Sequence, residues 1–188
     1  MPLICSLIFN PVNKKHFKKS LTMATTDNQE VFDRIAKMLE EANFKVASND
    51  FNRPWGGFFV IDEAQAKDFV RYFMPDLDMA TVVGNRKVSP KILVVAPQKR
   101  LSWQYHNRRS EVWKILEGPV GIVQSPDNEE RPVHTFLEGE SITLSTGERH
   151  RLIGLENYGV VAEIWQHTDP FNPSNEEDII RLKDDFGR

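Results

Sequence analysis

Nine short apolar segments between residues 57 and 166, broken by turn-forming residues roughly every ten positions, constrain this chain more than any other feature. They are Gly57–Ile61, Lys91–Ala96, Leu101–His106, Glu111–Leu116, Val120–Gln124, Pro132–Leu137, Ser141–Leu144, His150–Ile153 and Val160–Gln166. Breaks such as Pro97-Gln98, Gly118-Pro119, Ser125-Pro126-Asp127-Asn128, Glu138-Gly139 and Thr146-Gly147 separate them. Strands this short, with no helix between successive members, indicate an antiparallel sandwich or barrel. Ahead of them, residues 27–43 carry Val31, Ile35, Met38, Leu39 and Ala42 at helical spacing, with Thr26 and Gln29 as a capping box. Residues 62–74 form a second candidate helix, with Phe69, Val70, Phe73 and Met74 on one face and Pro75 as its stop. The expected fold class is mainly β, a barrel with one or two N-terminal helices. The polar tail from Pro170 reads as irregular with a short helical turn at Glu176–Leu182.

Bulk properties narrow the function classes. A net charge of −3 supplies no field for nucleic acid. The single cysteine, Cys5, rules out an internal disulfide framework or a thiolate cluster. MPLICSLIF at the N-terminus is too short to span a bilayer, and the basic run Lys14–Lys19 follows it rather than precedes it, the wrong order for a secretory signal. Residues 1–22 are expected to be a disordered extension, 23–50 an N-terminal helix and 51–188 the barrel domain, in a cytoplasmic protein.

Side chains alternate along a strand, so Gln104 and His106 share a face. Residues 107–110 read as a hairpin loop, and Glu111 opens the returning strand. His150 starts another strand just after the turn Ser145-Thr146-Gly147. Two imidazoles, a carboxylate and an amide oxygen form a ligand set suited to one divalent transition metal, with Zn, Mn, Fe, Co and Ni not distinguished. His134 has no partner at ligand spacing, and His16 and His167 are expected at the surface. Trp103 and Trp113 are expected in the core or the pocket wall, and Trp165 in the core.

These residues resemble a known family. Glu111 and Gly118 fit the spacing of the first cupin motif, and Gly139, Gly147 and His150 fit the second. Gln104 in place of the first cupin histidine is similar to phosphomannose isomerases. Arg53-Pro54-Trp55-Gly56, Arg100-Leu101-Ser102, the run from Gln104 to Trp113, His150-Arg151-Leu152 and the ending Glu177 to Arg188 resemble the type II mannose-6-phosphate isomerase domain, over about residues 50–188. In many bacteria that domain follows a GDP-mannose pyrophosphorylase domain. The resemblance implies a double-stranded β-helix of the cupin, or jelly-roll, type. It also implies metal ligands Gln104, His106, Glu111 and His150, and substrate-handling roles for Arg109, Arg181 and Arg188.

Guanidinium groups suit phosphate because they bind it bidentately. Arg100 flanks the ligand segment and joins the substrate-binding candidates. Arg151 joins Arg109 as a catalytic candidate, although strand alternation turns it away from the barrel unless a bulge intervenes. The implied activity is interconversion of mannose 6-phosphate and fructose 6-phosphate, in carbohydrate or nucleotide-sugar metabolism. Glu148, Glu163 and a hydroxide on the metal all stay open as general base. The implied partner is a small-molecule sugar phosphate, with no nucleic acid or membrane, and a homodimer is the assembly considered.

The chain departs from the family at Asn107, Arg108, Val112 and Ser145, where the isomerases carry three histidines and a proline. Arg108 adds charge that would suit a different phosphorylated or acidic sugar, such as a heptose phosphate. A cupin that binds a sugar or sugar nucleotide without turnover is the alternative from another class.

Overall fold

A computed structural model of the chain describes residues 28–187. Two antiparallel sheets face each other and bear out the mainly β expectation. The six-stranded sheet has the order β1 (Val46–Arg53), β2 (Gly56–Ile61), β3 (Val88–Val95), β10 (Gly159–His167), β5 (Arg109–Glu117) and β8 (Ser141–Leu144). The five-stranded sheet has the order β11 (Ile179–Lys183), β4 (Trp103–His106), β9 (Arg149–Gly154), β6 (Val120–Ser125) and β7 (His134–Phe136).

The six-stranded sheet is covered on both faces, which is why β3 and β10 are buried along their whole length. Alternation sorts their side chains into two cores. Ile92, Val94, Val160, Ala162 and Ile164 pack outward against α1 (Asn28–Glu41) and α2 (Ala66–Phe73), meeting Val31, Phe32, Ile35, Leu39, Phe69 and Phe73. Leu93, Val95, Ile115 and Val161 point the other way and meet Ile122 and Leu152 of the facing sheet. That second core fills only one end of the space between the sheets. Toward the other end the inward positions turn polar, with Lys91 on β3, Glu111 and Arg109 on β5, and Glu163 on β10, all buried. Among the described residues no helix is long and apolar enough to cross a membrane.

Several local expectations change. β1 was not anticipated, because its sequence VASNDFNR lacks an apolar stripe; it is an edge strand paired only with β2. The 50/51 division between helix and barrel falls inside this strand. The second helix is shorter than expected: Asp62 caps a single 3-10 turn at Glu63–Gln65, and α2 follows it. A further short helix, α3 (Met79–Val82), is capped by Asp78, whose carboxylate accepts the Thr81 N–H. In the tail the helical turn is confined to Glu176–Asp178, and the chain then extends as β11 along β4. Residues 1–22, the capping residue Thr26 and Arg188 lie outside the described residues.

Ile164 is fully buried between the helices and the sheet, so Ile164→Ala is expected to destabilise the fold by about 2–5 kcal/mol. Urea unfolding followed by tryptophan fluorescence checks this, and a lowered midpoint with an unchanged slope is the expected result.

Candidate metal centre

β4 and β5 were expected to form a hairpin, but they do not pair. β4 lies in the five-stranded sheet and β5 in the six-stranded one, and Asn107-Arg108 carries the chain from one to the other. The ligand set converges because the inner faces of two sheets meet. Gln104 stands in register with His150 across β4 and β9, so both face inward with His106. Glu111 approaches from the opposite sheet. Gly147, at φ +78, turns the chain just ahead of β9, and its N–H donates to the His106 carbonyl at 2.7 Å. Only glycine adopts that φ without steric cost, so it fixes the approach to His150.

His106, Glu111 and His150 are all buried, and their ligand atoms lie within 4.8 Å of one another. The two Nε2 atoms are 3.3 Å apart, and they lie 3.2 Å and 3.5 Å from the Glu111 carboxylate oxygens. Hydrogen bonding fixes the His150 tautomer. His150 Nδ1 faces the Glu148 carbonyl at 3.0 Å, so it carries the hydrogen and leaves Nε2 bare. His106 Nε2 lies 3.0 Å from Arg109 Nη2 and 3.2 Å from Glu111 Oε1, while His106 Nδ1 is buried without a partner among the described residues. Two imidazole nitrogens and a carboxylate therefore crowd one small space. Such a donor set fits a divalent cation.

Electrostatics agree. Burial, the largest single influence, would push the Glu111 carboxyl up, but Arg109, His106 and His150 together outweigh it and hold the group well below the usual carboxylate range. Arg109 Nε donates to Glu111 Oε1 at 2.7 Å, and Trp113 Nε1 donates to Oε2 at 3.1 Å. Burial lowers the His150 pKa to about 4, keeping its ring neutral. Glu163 behaves oppositely: burial, then the charge on Glu111, pushes it up to about 8. The Trp113 indole N–H, at 2.9 Å from Glu163 Oε1, lies between the two carboxyl groups.

A cleft with about 490 Å³ of empty space, its open mouth included, leads to these groups. Gln104, Arg109, Glu111 and Arg181 line it. Gln104 Oε1 accepts from Ser102 Oγ at 2.6 Å, and Arg181 stands beside Gln104 in the β11–β4 register. Arg100 and Arg151 are not brought to the cleft. Arg100 pairs with Asp185, and Arg151 points out of the barrel toward Glu130 and the Lys183 carbonyl, with no bulge to turn it inward. Arg108 also turns away, reaching Asn172 and Asn175 of the tail at 2.7 and 3.0 Å.

Sequence reasoning missed Arg53, Lys91 and Glu176, which line the cleft as well. The inward alternation of β3 was the signal available for Lys91. Trp165, expected in the core, is a cleft wall clamped between Lys91 Nζ at 3.3 Å and the Arg109 guanidinium at 3.5 Å. His167 is buried rather than exposed.

The family described as mannose-6-phosphate isomerase C-terminal matches residues 70–184. This chain belongs to that family. It is 26% identical over 167 residues to a mannose-1-phosphate guanylyltransferase of Salmonella montevideo, covering 89% of this chain and 29% of the relative. It is 25% identical over 136 residues to the xanthan biosynthesis protein XanB of Xanthomonas campestris pv. campestris, covering 72% and 23%. The chain thus spans less than a third of the curated relatives it matches. Among solved structures, an oxalate decarboxylase variant from Bacillus subtilis superposes with a TM-score of 0.51 at 12% identity, over 72% of this chain and 30% of that one. This likeness concerns the fold alone, and the fold is that of the cupins.

Glu163 gives a test of the buried electrostatics. Its carboxyl keeps its proton in the folded state up to about pH 8, whereas an unfolded glutamate loses it near pH 4.3. The folded state binds the extra proton, so this group's contribution to stability falls as pH rises through that window. Glu163→Gln removes the loss. Its stability relative to the parent, from urea unfolding of metal-stripped protein, is expected to rise between about pH 5 and pH 8, by up to ~1.4 kcal/mol per unit.

Proposed function

We propose that this protein is a metal-dependent sugar-phosphate isomerase, interconverting mannose 6-phosphate and fructose 6-phosphate. The buried His106–Glu111–His150 group, whose Glu111 lines a cleft that also bears Arg53, Lys91, Arg109 and Arg181, carries this reading, in a chain of the mannose-6-phosphate isomerase C-terminal family. His106, Glu111 and His150 would hold the metal, with Gln104 beside them. A bound divalent ion would polarise the sugar carbonyl and stabilise the negative charge that develops on its oxygen. The cleft cations suit a dianionic phosphate, and anchoring that remote group would orient the sugar for proton transfer. Glu163, protonated at neutral pH and buried beside Trp113, would hold a proton for transfer to or from the sugar.

One observation favours a second reading, sugar or sugar-nucleotide binding without turnover. The Arg109 guanidinium touches both His106 Nε2 and Glu111 Oε1, atoms that a metal would use. Incubating the purified protein, its metal content measured, with mannose 6-phosphate, fructose 6-phosphate and heptose phosphates separates the two. Interconversion of the first pair is expected. Binding without turnover, under every common divalent metal, would sink the isomerase reading in favour of the second. The double variant His106→Ala/His150→Ala is expected to lose bound metal by elemental analysis and to drop kcat/KM by about a thousandfold or more. Full metal retention in that variant would move the centre elsewhere.

A further inference from the structure

His167 ends β10 on the inward face, two residues beyond Trp165, and is only 4% exposed. Its Nδ1 accepts the backbone N–H of Ser174 at 3.0 Å. A backbone amide only donates, so Nδ1 is bare and the hydrogen of the neutral ring sits on Nε2. Nε2 lies 2.8 Å from Ser89 Oγ, and Ser89 Oγ donates to Glu63 Oε1 at 2.5 Å. Every donor in this row is thereby assigned a direction, from ring to hydroxyl to carboxylate.

The other side of Ser174 leads to the metal centre. Its Oγ accepts from Arg109 Nη1 at 2.7 Å and donates to Asp178 at 2.6 Å. Arg109 in turn bonds Glu111 and His106. The imidazole therefore grips the backbone of the same residue whose hydroxyl holds the guanidinium. Neither Ser174 nor His167 lines the cleft.

We propose that His167 is a positioning residue for Arg109, acting through Ser174 to hold the guanidinium against the buried glutamate. The proposal rests on the metal-centre reading for its functional weight, but its geometry is independent of it. It has a consequence for pH. An imidazolium carries hydrogens on both nitrogens, so Nδ1–H would confront the Ser174 N–H, donor against donor. The charged groups around the ring are Glu63, which favours the imidazolium, and Lys87, Arg109 and Lys91, which oppose it. Burial is the largest influence and lowers the pKa. With the folded value depressed, the grip is complete at neutral pH and is lost as pH falls below the ordinary histidine range.

The Arg109 Nε–H, hydrogen-bonded to Glu111, gives a direct readout by NMR, assigned by its disappearance in Arg109→Lys. In His167→Ala and in Ser174→Ala its solvent exchange is expected to speed at least tenfold. The double variant should be no faster than the faster single variant, because both act along one path. His167→Asn, which keeps an acceptor near the Nδ1 position, should restore much of the protection. Hydrogen exchange of the Ser174 amide should quicken in His167→Ala but not in Ser174→Ala, which keeps that amide's acceptor. An unchanged Arg109 signal in folded His167→Ala overturns the proposal. If that variant does not fold, an unchanged signal in Ser174→Ala does the same. With mannose 6-phosphate as substrate, both single variants should change kcat/KM by a similar factor of about ten. Absence of turnover in the parent would count against the isomerase reading only, since the NMR readouts need no substrate.

Discussion

Glu111 is a carboxylate with 2% of its surface exposed, and most of the polar half of the barrel can be understood as its compensation. A buried charge is tolerated only when paired and hydrogen-bonded. Arg109 pairs with it, Trp113 donates to it, and the rings of His106 and His150 stand 3.2 and 3.5 Å from its oxygens. The compensation spreads outward. Arg109 is itself buried, so it needs Ser174 and the face of Trp165; Trp165 carries Lys91 on its other face, and Lys91 reaches Glu176. Glu163, which finds no comparable partner, keeps its proton.

The tail takes part in this arrangement. Asp178 accepts the backbone N–H groups of Asn107 and Arg108 at 3.3 and 3.0 Å, and Arg108 holds Asn172 and Asn175. The turn that passes the chain between sheets is thus fastened to the segment that closes one side of the cleft. Arg108 serves this fastening and leaves the cleft cations to Arg53, Lys91, Arg109 and Arg181.

The sequence made the barrel legible because its buried strands carry apolar residues between clear breaks, and alternation alone placed Gln104 with His106 and turned Arg151 outward. It concealed what depends on partners distant in the chain. β1 has little apolar patterning because it packs at an edge, and Glu176–Leu182 reads as a helical turn, although from Ile179 onward it pairs with β4 as a strand. Turn residues at 107–108 signal a reversal but not the sheet to which the chain returns, so the expected hairpin was in fact a crossing. A lone histidine before a polar tail looks exposed, and His167 is buried because that tail folds back over it.

That crossing gives the centre a mechanical character. His106 and His150 belong to one sheet and Glu111 to the other, so a cation held by all three would be gripped across a seam. Elsewhere the seam is closed largely by apolar contacts, which lack direction. At the polar end it is closed by oriented bonds that resist both parting and shear. An ion there would act as a rivet, and a rivet stiffens a joint in proportion to how often it is in place.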